Sequence, residues 1–179
     1  MPPRFTTVRL LAVLAPLAMA SAALAHVTLE TAEAPANSSY KAVLRVPHGC
    51  DGQPTHTLRV QIPEGFIAVK PMPKPGWKLE TRKGPYARAY DYFGNKLTEG
   101  VKEVVWSGGE LLDEHYDEFV LRGRVADLPA GTMLWFKTVQ ECPNGAERWI
   151  EIPAEGQKAS DLKYPAPGLK VIERKTQGH

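Results

Sequence analysis

Beyond residue 25, the apolar positions show little helical periodicity. Short runs of β-branched and aromatic residues recur between clusters of Pro, Gly and Asn, which is typical of strands separated by turns. In the stretch EFVLRGRV, one face carries Phe119, Leu121, Gly123 and Val125, and the other carries Glu118, Val120, Arg122 and Arg124. The pattern predicts strands at Tyr40–Val46, Thr57–Ile62, Phe66–Lys70, Trp77–Thr81, Tyr86–Tyr92, Val101–Ser107, Tyr116–Val125, Met133–Gln140 and Arg148–Ile152.

Many short strands at this spacing favour an antiparallel β-sandwich over a parallel α/β sheet, so the expected fold class is all-β. The 16 prolines agree with this expectation, because proline marks turns and sheet edges and breaks helices. Near residue 156 the composition changes: aromatic residues become scarce and the charges are mixed. We therefore expect one sandwich domain over residues 26–155 and a loosely attached polar tail over 156–179, with one edge strand near Leu169–Ile172.

The first 25 residues have the three-part pattern of a secretory signal peptide. Arg4 and Arg9 supply the positive charge, residues 10–20 form an apolar run, and an A-x-A cleavage site ends at Ala25. The apolar run is short for a transmembrane anchor, which needs about 20 residues. We expect cleavage after Ala25 and an exported protein, periplasmic or extracellular, without stable membrane insertion.

Removal of the signal peptide balances the charge of the chain. The precursor has 22 Lys and Arg residues against 20 Asp and Glu residues, and the signal peptide contains Arg4 and Arg9 but no acidic residue. The excess positive charge therefore leaves with the signal. No electrostatic argument remains for nucleic acid or an anionic membrane as a partner.

Cys50 and Cys142 form an even pair in a chain that is expected to reach an oxidising compartment, where a disulfide is the default. The alternative is a copper thiolate, suggested by the sequence His48-Gly49-Cys50, because a blue-copper site combines one Cys with two His. A paired cysteine cannot also supply a thiolate, so the prediction is the disulfide.

His26 becomes the first residue of the processed chain. Its α-amine and its ring Nδ1 then form a chelate, and a metal ion can displace both protons at neutral pH because the reference pKa values are about 8 and about 6.5. Two nitrogens in one plane suit a tetragonal Cu(II) centre. The alternative is that a histidine follows the cleavage site by chance.

A chelate at His26 needs further ligands. Glu30 shares a strand face with His26, but four residues of strand separate the two by about 13 Å, which is too far to hold one ion easily. The environments of the remaining histidines indicate loop, acidic-stretch and tail positions, and none is placed as a clear second ligand: His48, His56, His115 and His179.

Soft and aromatic side chains are the next candidates. The four tryptophans are expected to pack in the core, because indole rings bury large areas: Trp77, Trp106, Trp135 and Trp149. Met72 is a sulfur ligand suited to Cu(I), but its loop position predicts a surface residue.

Several motifs in one order resemble the YcnI-like copper-binding domain: AHVTLE after the signal peptide, LRVPHGC, VQIPEGF, KPGW, EFVLRGRV and LWFKTVQ followed by a Trp. The resemblance covers residues 25–152. It implies an immunoglobulin-like or cupredoxin-like β-sandwich that binds Cu(II) through a monohistidine brace. In such a brace the amine and ring nitrogen of the N-terminal His are joined by a carboxylate, and a tryptophan lies beside the metal. By motif, these residues are His26, Glu118 and Trp135.

The resemblance and the freed histidine together predict a Cu(II) chaperone or reservoir in copper homeostasis that is not an enzyme. Its expected partners are the copper ion and another periplasmic copper chaperone or cuproprotein. Two alternatives remain open. One is a histidine-brace copper enzyme that cleaves polysaccharides oxidatively, which needs a second histidine and a flat binding face. The other is a metal-free extracellular scaffold domain.

Overall fold

The computed structural model describes residues 26–174, so the predicted signal peptide and His179 lie outside the described residues. Within that range no helix is long and apolar enough to cross a membrane. Apart from a 3₁₀ turn at Ala159–Asp161, the regular structure is β1 (Thr28–Leu29), β2 (Glu33–Pro35), β3 (Ser38–Val46), β4 (Thr55–Gln61), β5 (Phe66–Pro71), β6 (Lys78–Tyr92), β7 (Asn95–Leu111), β8 (Asp117–Val125), β9 (Met133–Trp135), β10 (Thr138–Cys142), β11 (Gly145–Trp149) and β12 (Gly168–Ile172).

The strands form two main sheets and one small sheet. The first main sheet has the order β1-β3-β8-β5, and the second has the order β11-β10-β4-β7-β6. All pairs in these two sheets are antiparallel. The small sheet has the order β2-β12-β9, and its β12 runs parallel to β2. The predicted all-β, mainly antiparallel sandwich is confirmed.

The inward face of β8 is the one that the alternation predicted. Phe119 is 1% exposed, and Leu121 and Val125 are fully buried. The Phe119 ring packs edge-on against Trp77 and Trp106, with ring centroids 5.0 and 5.4 Å apart. Apolar positions with a period of two therefore build the core from strands that are distant in sequence.

Some predicted strands have different limits in the structure. The predicted strands at residues 77–81 and 86–92 are one long strand, β6, which contains Pro85. A proline is accepted there because β6 lies at the edge of its sheet and no further strand needs its missing N–H. The predicted strand at 133–140 is divided after Trp135, and its halves, β9 and β10, join different sheets.

Among the described residues after 155, one segment is part of the packed domain and not of the loosely attached tail that the polar composition predicts. The predicted strand near residues 169–172 exists as β12, but it lies between β2 and β9 instead of at an edge. Leu169 and Val171 are fully buried in the main core. Two apolar side chains at alternating positions are enough to fix this strand, so the packed domain extends well beyond residue 155.

Candidate metal centre

His26 lies two residues before β1 and is half-buried. Its ring centroid is 5.6 Å from that of Trp149, which is a core residue. The Nε2 atom of His26 is buried and has no hydrogen-bond partner among the described residues. Buried polar atoms in proteins are nearly always paired, because an unpaired one costs about 1–3 kcal/mol. The fold therefore offers no partner to Nε2, whereas the predicted chelate uses the other ring nitrogen, Nδ1.

A cavity of about 460 Å³ adjoins the His26 ring. Its wall is mostly apolar and includes His26, Thr28, Met133, Trp135, Ser160 and Gly168. The structure thus brings together two of the three predicted site residues, His26 and Trp135. No Asp or Glu belongs to the described lining of this cavity.

Trp135 owes its position to a glycine on the neighbouring strand. In the β9–β12 pair, Trp135 lies opposite Gly168. A Cβ atom on Gly168 would lie 2.5 Å from Cζ3 of the Trp135 ring and 3.0 Å from Cε of Met133. The indole ring and the thioether methyl group therefore pack into the space that a side chain at residue 168 would occupy.

The substitution Gly168→Ala is expected to displace the Trp135 ring and to lower the free energy of unfolding by about 1–3 kcal/mol, as overpacking does. Gly145→Ala is the matched control, because a Cβ atom there meets no atom within 4 Å. Urea unfolding and tryptophan fluorescence would measure both effects. If the two variants were equally stable and had the same emission, the close packing over Gly168 would be disproved.

Glu118, the predicted carboxylate ligand, lies outside the cavity lining. It is on the face of β8 opposite Phe119, and its Oε1 accepts a hydrogen bond from the Tyr116 hydroxyl. This hydrogen bond raises the pKa of Tyr116 to about 12. The tyrosine therefore stays protonated, and remains a donor to the carboxylate, well above neutral pH.

The strand register gives the relation of Glu118 to the start of the chain. Glu118 pairs with Arg45 on β3, and Arg45 pairs with Thr28 on β1. Neighbouring strands are about 4.8 Å apart, so the backbones at Thr28 and Glu118 are separated by about 10 Å. Since β1 and β8 run in the same direction, His26 and Tyr116 lie towards the same end of the sheet. Glu118 is therefore one intervening strand away from the segment that carries His26.

The other described histidines lie elsewhere. His56 Nδ1 is 2.9 Å from the carbonyl oxygen of Gly109, and His115 is exposed beside Glu114. His48 Nδ1 is 3.9 Å from an Asp113 carboxylate oxygen. None of the three lines the cavity at His26. A second histidine for an oxidative copper enzyme is thus missing from this cavity as far as residues 26–174 extend.

Clusters of metal-binding side chains give no rival centre. Within residues 26–174, no group of three or more His, Cys, Asp or Glu side chains could hold a metal ion. A monohistidine brace does not require such a group, because two of its donors come from one residue and the third from a single carboxylate. The candidate centre therefore depends on His26 itself.

The predicted disulfide between Cys50 and Cys142 is present, and neither cysteine is free. This excludes a copper thiolate at Cys50 in the oxidised protein. The bond lies next to the fully buried Gln140, whose Nε2 donates to the carbonyl oxygen of His48 and whose Oε1 accepts from Trp149 Nε1. The disulfide and Gln140 thereby help to hold Trp149, the tryptophan that contacts His26.

Sequence reasoning missed two residues around His26. The sequence predicts Trp149 to be a core residue but shows no relation to the histidine, and it does not single out Met133. A signal for Met133 was present, because it stands two residues before Trp135 and a strand places such residues on one face. No comparable local signal connects Trp149 with His26, since their contact joins different sheets.

Comparison with known proteins gives a family and a fold. A family model described as a domain of unknown function (DUF1775) matches residues 26–171. An uncharacterized protein from Nocardia farcinica, whose crystal structure reveals an immunoglobulin-like fold, is 20% identical, covers 82% of this chain and 98% of its own, and has a TM-score of 0.61. The immunoglobulin-like fold is thereby confirmed.

Two cohesin structures are more distant. A cohesin module from a Clostridium perfringens ATCC13124 family 33 glycoside hydrolase is 12% identical, with coverage of 83% and 97% and a TM-score of 0.45. A non-cellulosomal cohesin from Archaeoglobus fulgidus is 13% identical, with coverage of 84% and 92% and a TM-score of 0.40. No curated protein matches the chain. The description of the matched family assigns it no function.

Proposed function

The chain belongs to the YcnI-like family, described as a domain of unknown function (DUF1775), and from this premise we propose that it is an exported Cu(II)-binding protein, a chaperone or reservoir. Copper is its cargo, bound at the N-terminal histidine of the processed chain. Export is supported by the signal-peptide pattern of residues 1–25 and by the disulfide, which suits an oxidising compartment.

The observation that carries the proposal is the setting of His26. The family match begins at this residue, which is also the first residue after the predicted cleavage site. Its ring is half-buried beside a cavity that Trp135 also lines. A histidine placed by chance after a cleavage site would more commonly be hydrated. This setting fits a residue with a ligand-binding role.

The chemistry follows from the freed α-amine. Cleavage exposes a primary amine next to the imidazole, and the two nitrogens chelate one ion in a plane, the geometry that Cu(II) prefers. A metal ion must displace the protons from both groups, so binding is expected to weaken as the pH falls. Trp135 would cover one side of the ion and limit access by water.

Glu118 is the proposed oxygen ligand. Its carboxylate would offset part of the charge of the ion. It lies towards the His26 end of the sheet, held there by the Tyr116 hydroxyl. The side chain is half-buried and its backbone is two strands from β1, so the start of the chain and the glutamate side chain must approach each other to bind one ion. We therefore expect the Glu118 carboxylate to reach the ion after the two nitrogens of His26 have bound it.

The substitution Glu118→Gln tests the proposed function. It removes the charge but keeps the shape, and we expect the Cu(II) affinity of the protein beginning at His26 to fall by about 10-fold, or 1.4 kcal/mol. The pKa of Tyr116 should fall from about 12 towards its ordinary value of 10.0, because the hydrogen bond to a carboxylate is lost. Competition titration and electron paramagnetic resonance (EPR) would measure the first effect, and tyrosinate absorbance the second.

Glu114→Gln is the matched control, since Glu114 is an exposed acid four residues away. It should change neither the Cu(II) affinity nor the pKa of Tyr116. A lowered Tyr116 pKa in Glu118→Gln with unchanged Cu(II) affinity and EPR spectrum would remove Glu118 from the ligand set. Failure of the parent protein to bind Cu(II) at a 1:1 ratio would refute the proposed function as a whole.

A further inference from the structure

The cavity beside His26 contains a sulfur atom that the proposed Cu(II) site does not use. We infer that the thioether of Met133 is a ligand for the cuprous ion, so that the same histidine serves Cu(I) on the cavity side and Cu(II) with the amine and Glu118. This inference rests on the proposed function. Met72, which the sequence predicts to be a surface residue, is 52% exposed just after β5 and does not line this cavity.

The position of Met133 is well defined by its neighbours. Met133 and Trp135 are two residues apart on β9 and therefore share a face. The methyl group of Met133 and the ring of Trp135 converge over Gly168, where a Cβ atom would lie 3.0 and 2.5 Å from them. Met133 is thereby held in the lining of the cavity that His26 also lines.

The donors around this cavity are neutral. Its lining contains an imidazole and a thioether but no Asp or Glu, and most of its surface is apolar. Placing an ion against such a surface costs less free energy for a single charge than for a double charge. Thioether sulfur is a soft ligand that favours Cu(I), and imidazole accepts both oxidation states. Ligand type and charge therefore favour the cuprous ion on this side of His26.

The exposed part of Met133 leaves room for its sulfur atom to reorient towards an ion. Its side chain is 38% exposed, so part of it is not fixed by packing. Methionine is unbranched with three rotatable side-chain bonds, and it adapts its sulfur position at little cost. His26 lines the same cavity, and its imidazole is the second donor of the inferred Cu(I) site.

Met133→Leu tests the inference, because leucine fills a similar volume without sulfur. The protein beginning at His26 would be titrated anaerobically with Cu(I) against the chromogenic chelator bicinchoninate, and separately with Cu(II). We expect Cu(I) affinity to fall by about 10-fold or more and Cu(II) affinity to change by less than about 2-fold. X-ray absorption of the Cu(I) form should lose its copper–sulfur scattering. Met72→Leu is the matched control and should change neither affinity.

The outcomes separate this inference from the proposed function. Equal Cu(I) affinity in Met133→Leu and Met72→Leu, with normal Cu(II) binding, would overturn the role of Met133 and leave the Cu(II) proposal intact. Equal losses of Cu(I) and Cu(II) affinity in Met133→Leu would show that Met133 acts by packing, which also overturns the inference. Absence of Cu(II) binding in the parent protein would refute the proposed function and, with it, the shared site.

Discussion

One additional glycine in front of His26 is expected to weaken Cu(II) binding by about 100-fold or more, a loss of roughly 3 kcal/mol. The added peptide bond converts the α-amine of His26 into an amide, which removes one of the two nitrogens of the chelate. The imidazole and the fold are retained, because His26 precedes β1 and the extra residue lies outside the sheets. Competition titration would measure the affinity, and EPR would report the number of nitrogen ligands.

Two control variants show whether the loss of Cu(II) affinity comes from the α-amine of His26. A glycine added at the C-terminus changes length and mass equally and should leave Cu(II) affinity unaltered. His26→Ala retains a free amine but removes the ring, and it should lose at least as much affinity as the extended chain. Equal binding by the parent and the N-terminally extended protein would disprove the brace and redirect the search to His48, His56 and His115.

Removal of the disulfide is expected to have the second large effect. The pair Cys50→Ala and Cys142→Ala should lower the free energy of unfolding by about 4 kcal/mol, within the 2–5 kcal/mol usual for native disulfides. The bond joins residues separated by 92 positions, so the unfolded chain gains much conformational freedom when it is lost. Urea unfolding followed by tryptophan fluorescence would measure the change, with reduced wild-type protein as the matched comparison.

The copper site should respond less strongly than the stability. Gln140 keeps its hydrogen bonds to Trp149 Nε1 and to the carbonyl oxygen of His48 without the sulfur bridge. At temperatures where the variant is folded, we expect its Cu(II) affinity to lie within about 3-fold of the parent. A decrease of less than about 1 kcal/mol in the free energy of unfolding would contradict a stabilising role of the disulfide. A large loss of Cu(II) affinity in folded protein would instead show that the bond positions His26.

Local sequence patterns predict those features of the fold that depend on a single strand. Alternation in β8 identified its buried face correctly, because a strand turns successive side chains to opposite sides regardless of its partners. The two cysteines could pair only with each other. By contrast, the polar surroundings of β12 concealed a buried strand, because its burial depends on the docking of β2 and β9 on either side.

Only those residues of the candidate site that a local motif marks could be predicted from the sequence. His26 follows from the cleavage pattern, and the resemblance to the YcnI-like family supplied Glu118 and Trp135 as candidates. The contact of His26 with Trp149 and the cavity shared with Met133 were not predictable, because they join residues more than 100 positions apart. The separation of Glu118 from the cavity likewise depends on which strand lies between β1 and β8.

The sequence by itself determined the strand character, the inward face of β8, the identity of the disulfide and the histidine that a signal-peptidase cut would free. The tertiary structure decided that Trp149 lies beside that histidine, that Trp135 and Met133 line the same cavity, that Glu118 lies across β3, and that β12 belongs to the packed domain. The physical reason is the separation along the chain of the residues that determine each feature. A period of two is set by the backbone of each strand, whereas neighbours across a sandwich are chosen by register and packing between segments that are far apart in the chain.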